Sequence, residues 1–109
     1  MINSEKRAFK RAKHKFTVRF NRHGDASVGG ASVTENISLG GAYFSSLEKF
    51  DIGQLLDCRI DAGVAGELIW LGRVVRCDEL GSHMLRTYGI AVEFVKADPD
   101  SERRLKAVL

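Results

Sequence analysis

Lys15-Phe16-Thr17-Val18-Arg19-Phe20 alternates strictly: Phe16, Val18 and Phe20 are apolar, while Lys15, Thr17 and Arg19 are polar. A period of two places the three apolar side chains on one face of an extended strand. Read outward from this stretch, the same rule predicts five more strands. Asn21-Arg22-His23-Gly24-Asp25 is turn chemistry, and Ala26 to Ile37 reads as the second strand. Gly29-Gly30 predicts a bulge in it or an extension of the turn. Ser38-Leu39-Gly40-Gly41 is a tight turn, and a third strand opens at Ala42-Tyr43-Phe44. Ser45 to Gly53 is a connection. Leu56, Cys58 and Ile60 then alternate with Asp57, Arg59 and Asp61 in a fourth strand. The Gly-rich turn Ala62 to Gly66 leads into a long fifth strand, Glu67 to Cys77, with a bend at Gly72 and Trp70 in the core. Parity along it predicts Arg73 and Arg76 on opposite faces. Asp78 to Thr87 reads as a polar loop. Tyr88 to Val95 is the sixth strand, with Ile90, Val92 and Phe94 inward.

Asp98-Pro99-Asp100 opens a terminal helix: Asp98 suits the N-cap and Pro99 the first helical position. Leu105, Val108 and Leu109 then share one face and cover an end of the sheet. Six short strands separated by turns predict a mainly-β fold, a six-stranded antiparallel β-barrel with a short C-terminal helix. With 109 residues the chain is one domain. Residues 1–14 lack an apolar period and read as a basic arm, and residues 15–109 as the barrel and helix.

The net charge of +3 hides an asymmetry. Residues 1–23 carry eight basic side chains against one acid, and residues 24–109 nine against thirteen. A basic arm on a mildly acidic body predicts an anionic partner near the N-terminus. Cations this dense repel one another, so the arm is expected to be flexible until it meets that partner. Met1-Ile2-Asn3-Ser4-Glu5 is polar with no apolar run after it, and Leu68-Ile69-Trp70-Leu71 is far too short to span a bilayer. The expected location is cytoplasmic, without membrane insertion, and Cys58 and Cys77 are expected to be reduced. His14, His23 and His83 have no metal-ligand spacing, and no acid–base pair or nucleophile motif appears. The chain therefore reads as a binding protein, not an enzyme, with no metal or cofactor.

Two motifs carry binding chemistry. Arg7 and Arg11 form RxxxR, so a helical turn would set both guanidinium groups on one side. Guanidinium presents planar donors that match phosphate oxygens and guanine O6/N7, and it stacks on bases. Asn36-x-Ser38-x-x-Gly41 ends the second strand. Its Asn pairs with polar ring edges, and its Ser adds a hydroxyl. Gly40 and Gly41 permit positive φ and close approach of the backbone to a ligand. The plain alternatives are a solvated basic tail and a capped turn.

Together, in this order on a β-rich chain of this size, the two motifs resemble those of the PilZ domain family. Gly72-Arg73-Val74-Val75-Arg76 and Tyr88-Gly89-Ile90-Ala91-Val92-Glu93-Phe94 look like that family's late strands, so the likeness runs from about Arg7 to Val95. The resemblance implies a six-stranded barrel with a helix at one end, and the bacterial second messenger cyclic di-GMP as ligand. Arg7 and Arg11 would hold phosphates and guanine faces, Asn36 and Ser38 a guanine edge or phosphate, and Gly41 the turn. Lys6, Lys10 and Gly40 are further candidates. Many members have Asp where this chain has Asn36. The function expected on this basis is a non-enzymatic receptor that changes conformation and signals to a partner protein in control of motility or biofilm formation. The alternatives are a ligand-independent adaptor and a nonspecific nucleic-acid binder, against which the acidic body argues.

Overall fold

The computed structural model describes residues 15–81 and 85–109. Six strands and one helix are formed: β1 (Thr17–Arg22), β2 (Asp25–Ile37), β3 (Gly41–Ser46), β4 (Leu55–Asp61), β5 (Glu67–Gly81), β6 (Arg86–Ala97) and α1 (Pro99–Val108). A 3-10 turn, Gly63–Ala65, joins β4 to β5. The strands close in the order β1-β2-β3-β6-β5-β4, and every pairing is antiparallel. Closure joins each strand to two neighbours.

The alternation read from the sequence sets the interior. Val18, Phe20, Ala42, Phe44, Leu56, Cys58, Ile60, Leu68, Trp70, Val74, Ile90 and Val92 fill it. Each large apolar side chain buried there stabilises the fold by about 1.5–3 kcal/mol. Phe20 packs on Phe44 with ring centroids 4.7 Å apart, and Phe50, from the β3–β4 loop, meets Phe20 edge-on at 6.0 Å. Trp70 is a core residue, stacked on Phe94 at 4.3 Å. Helix α1 packs against β5 and the 3-10 turn, with Leu105 fully buried and Val108 and Leu109 against the core. No helix among the described residues is long and apolar enough to cross a membrane.

Three sequence expectations are corrected. Asp78 to Thr87 is not a loop. β5 continues to Gly81 and β6 begins at Arg86, so Asp78 pairs with Gly89, Glu79 with Tyr88 and Leu80 with Thr87. A two-stranded ribbon satisfies its backbone without an apolar face, and Arg86 and Glu79 approach within 3.4 Å across it. Gly29 and Gly30 remain in the ladder, opposite Asn21 and Phe20, and the extra residues are Ala26–Val28. Gly29 is needed for close approach, since a Cβ there would overlap the Phe20 carbonyl oxygen. Asp98 sits at the N-cap as expected, and its carboxylate accepts from the Ser101 hydroxyl at 3.4 Å in place of a backbone N–H. Lastly, Arg73 and Arg76 face the same side, for a reason given below.

Candidate ligand-binding face

The site is built from a row of residues that runs across four strands. Asn36 on β2 is paired with Tyr43 on β3, Tyr43 with Ala91 on β6, and Ala91 with Arg76 on β5. Ala42 and Phe44 point into the core, so Tyr43 points out, and the row lies on the outer wall of the barrel. Two bulges put its polar ends there. The β2–β3 register shifts between Thr34 and Asn36, making Glu35 the extra residue. Thr34 and Ile37 are both fully buried, and Asn36 between them is turned outward. The β5–β6 register shifts between Val74 and Arg76, making Val75 the extra residue. Val74 is fully buried, and Arg76 is 60% exposed. Strand parity, which separates Arg73 from Arg76, is broken by this inserted residue.

Each side chain in the row has a defined setting. The Asn36 amide makes no hydrogen bond among the described residues, so its donors and acceptor are available to a ligand. Ser38 is nearly buried, and its Oγ accepts the Gly40 N–H at 3.1 Å. The turn is closed by Ser38 N–H donating to the Gly41 carbonyl at 2.9 Å, and Phe94 N–H donates to the Gly40 carbonyl at 2.8 Å. Ser38 is thus both a turn residue and a hydroxyl that keeps its proton to donate. Arg76 donates through Nε to Asp78 Oδ2 at 2.9 Å, with its guanidinium carbon 5.4 Å from the Tyr43 ring centroid. Beside the row, Arg73 and Glu93 pair at 3.0 Å, with Glu93 opposite Gly41. These ion pairs are about half exposed and contribute little to stability, so they can exchange partners at small cost.

The motif glycines act differently from expectation. Neither Gly40 nor Gly41 has a positive φ. A Cβ on Gly41 would overlap the Val92 carbonyl oxygen and stand 3.3 Å from Glu93 Cα. Gly41 is therefore glycine because β6 passes close beside it.

The sequence places Arg7, Arg11, Lys6 and Lys10 outside the described residues. The chain enters the barrel beside the motif, however. Phe16 N–H donates to Thr34 Oγ1 at 2.9 Å, and Thr34 N–H donates to the Phe16 carbonyl at 2.8 Å. Residue 16 is thus paired one position from the bulge that turns Asn36 outward. Asn36, Ser38, Gly40 and Gly41 lie together at this point. Sequence reading missed Tyr43 and placed Arg73 and Arg76 on opposite faces. The available signals were three consecutive polar residues, Thr34-Glu35-Asn36, and the doubled Val74-Val75 before Arg76, both places where period-two alternation fails.

The sequence model of the PilZ domain family matches residues 5–109, a span that includes both motifs. The chain belongs to the PilZ domain family. This PilZ domain is similar in structure to the PilZ domain of YcgR from Escherichia coli, solved with c-di-GMP. The TM-score is 0.72 at 14% identity, over 95% of this chain and 88% of that one. It is also similar to the Bacillus subtilis inhibitor of motility MotI/DgrA, with a TM-score of 0.73 at 16% identity, over 94% of this chain and 49% of that one. The MrkH–c-di-GMP complex of K. pneumonia gives 0.71 at 21% identity, over 95% and 51%. The domain spans about half the length of the last two. At such identities these likenesses carry the fold. No curated protein matches the sequence.

Proposed function

We propose that this PilZ domain is a cytoplasmic, non-enzymatic receptor for cyclic di-GMP that passes the signal to a partner protein controlling motility or biofilm formation. The observation that carries the reading is the outward presentation of Asn36 beside the Ser38–Gly41 turn, at the point where the chain bearing Arg7 and Arg11 enters the barrel. Asn36 offers an amide with no partner among the described residues to a guanine edge, and Ser38 offers a hydroxyl proton to a guanine edge or phosphate. Arg7 and Arg11 supply the cations that a doubly negative dinucleotide requires. Lys6, Lys10 and Gly40 border the same ligand. Bridging the basic segment to the wall orders it and creates a new surface for the partner.

Isothermal titration of the full chain with cyclic di-GMP, with GTP and cyclic GMP as controls, tests this. Selective micromolar or tighter binding is expected. A bidentate arginine contact is worth about 1–3 kcal/mol, so Arg11→Ala should weaken binding about 5- to 150-fold. An absence of heat with an unchanged melting temperature would refute the receptor reading and leave a ligand-independent adaptor.

A further inference from the structure

Gly89 is buried although it faces outward, and its φ is not positive. The reason lies on the neighbouring strand. A Cβ on Gly89 would overlap the Tyr43 phenol oxygen and stand 2.6 Å from Cζ and 3.1 Å from Cε1. The phenol end of Tyr43 therefore lies over the Gly89 backbone, and the ring is laid along the outer wall. Its position is further bounded by Arg76, 5.4 Å from its centroid and itself held by Asp78. Directly across the ladder stands Asn36, whose amide makes no hydrogen bond among the described residues. Residues opposite one another on antiparallel strands have Cβ atoms about 5 Å apart, so the Asn36 amide starts beside the root of a ring that extends the other way, over β6, and both belong to the same outer surface.

We propose that Tyr43 is the stacking surface for a guanine of the dinucleotide, whose edge is read by Asn36. The inference rests on the receptor function proposed above and extends it to a residue outside both motifs. A π face accepts any base, while the neighbouring amide selects by hydrogen bonding, so Tyr43 supplies affinity and Asn36 discrimination. Gly89 acts as a positioning residue, through the ring alone. The competing account is that Tyr43 only covers a glycine in a strand, a purely structural packing role.

Full-length protein carrying Tyr43→Ala, Tyr43→Phe, Gly89→Ala or Tyr43→Ala with Gly89→Ala is titrated with cyclic di-GMP, and each variant's melting temperature is recorded. Removing a base-stacking side chain should weaken binding about tenfold or more. Tyr43→Phe should stay within about threefold of the parent, since the ring face is kept. Gly89→Ala should weaken binding where Tyr43 is present and add nothing in the Tyr43→Ala background. Unchanged affinity of a folded Tyr43→Ala protein would overturn the stacking role while leaving the receptor reading intact. Equal effects of Gly89→Ala in both backgrounds would overturn the positioning role. Failure of the parent protein to bind cyclic di-GMP would overturn the receptor reading, and this inference with it.

Discussion

Replacing Gly41 tests why the motif ends in glycine. Its backbone needs no positive φ, so the constraint comes from β6. An added methyl overlaps the Val92 carbonyl oxygen and stands 3.2 Å from the Val92 carbonyl carbon, both backbone atoms that no rotamer change can move. β3 and β6 must then separate where Gly41 pairs with Glu93. Overpacking of this kind costs about 1–3 kcal/mol, and a weakened ladder bond about 1 kcal/mol more. Gly41→Ala should therefore lose about 2–4 kcal/mol in urea unfolding, with a melting temperature lower by about 8–16 °C. The alternative, glycine kept for its backbone freedom, makes a different prediction. Asn tolerates left-handed conformations better than Ala, so Gly41→Asn would then be the milder change. Under the steric account Asn is at least as damaging, because its Cβ meets the same atoms. A Gly41→Asn protein clearly more stable than Gly41→Ala, or a Gly41→Ala melting temperature within about 3 °C of the parent, would refute the steric reasoning.

Asn36→Ala should leave the urea midpoint unchanged, because the amide bonds nothing among the described residues, yet weaken cyclic di-GMP binding in calorimetry. Ser38→Ala should lower both stability and affinity, since the Gly40 N–H also loses its acceptor, at about 1 kcal/mol. Ser101 is fully buried, and its Oγ accepts the Ile69 N–H at 2.8 Å. Ser101→Ala should cost about 1–3 kcal/mol in urea unfolding and undock α1, seen as faster amide exchange there. Burial, with the nearby Asp57 charge, pushes the Cys58 thiol from 9.0 up to about 12. The unfolded chain ionises first, so the thiol's contribution to stability declines as pH rises from about 9 to about 12, by at most ~1.4 kcal/mol per unit. Unfolding of Cys58→Ala, followed from pH 8 to 11, should lack that part of the alkaline decline.

The sequence carried most of the barrel because alternation survives in each strand that covers the core. Val18 and Phe20, Leu56, Cys58 and Ile60, and Ile90 and Val92 all face where a period of two places them. It failed where backbone pairing replaces burial as the organising force. Asp78, Glu79, Thr87 and Arg86 look like loop residues because neither face of their ribbon is covered, yet their backbone groups pair fully enough to extend both strands. Of the candidate site, Asn36, Ser38 and Gly41 were legible as local chemistry at a strand end. Tyr43 was not, since an aromatic residue in a strand most often faces the core, and its direction depends on counting from Ala42 and Phe44.

Arg76 and Asn36 share a single physical cause, which a linear pattern does not record. Each follows one inserted residue, Val75 or Glu35, and each insertion lies opposite the same β3–β6 register. Were Glu35 paired in regular alternation instead of bulged out, the parity set by buried Thr34 would drive Asn36 inward and Ile37 into solvent. Were Val75 paired in the same regular way, the parity set by buried Val74 would do the same to Arg76 and its successor. The cost of each bulge is a disrupted ladder, tolerated because Thr34, Ile37 and Val74 remain in the core on either side. Bulges that served only to bend the sheet would have no need to meet in one row. These two flank Tyr43 and Ala91 from opposite sides and turn outward the two polar side chains at its ends. A surface assembled this way, with an aromatic ring between an amide at one end and a guanidinium at the other, is suited to a planar, anionic ligand lying against the wall.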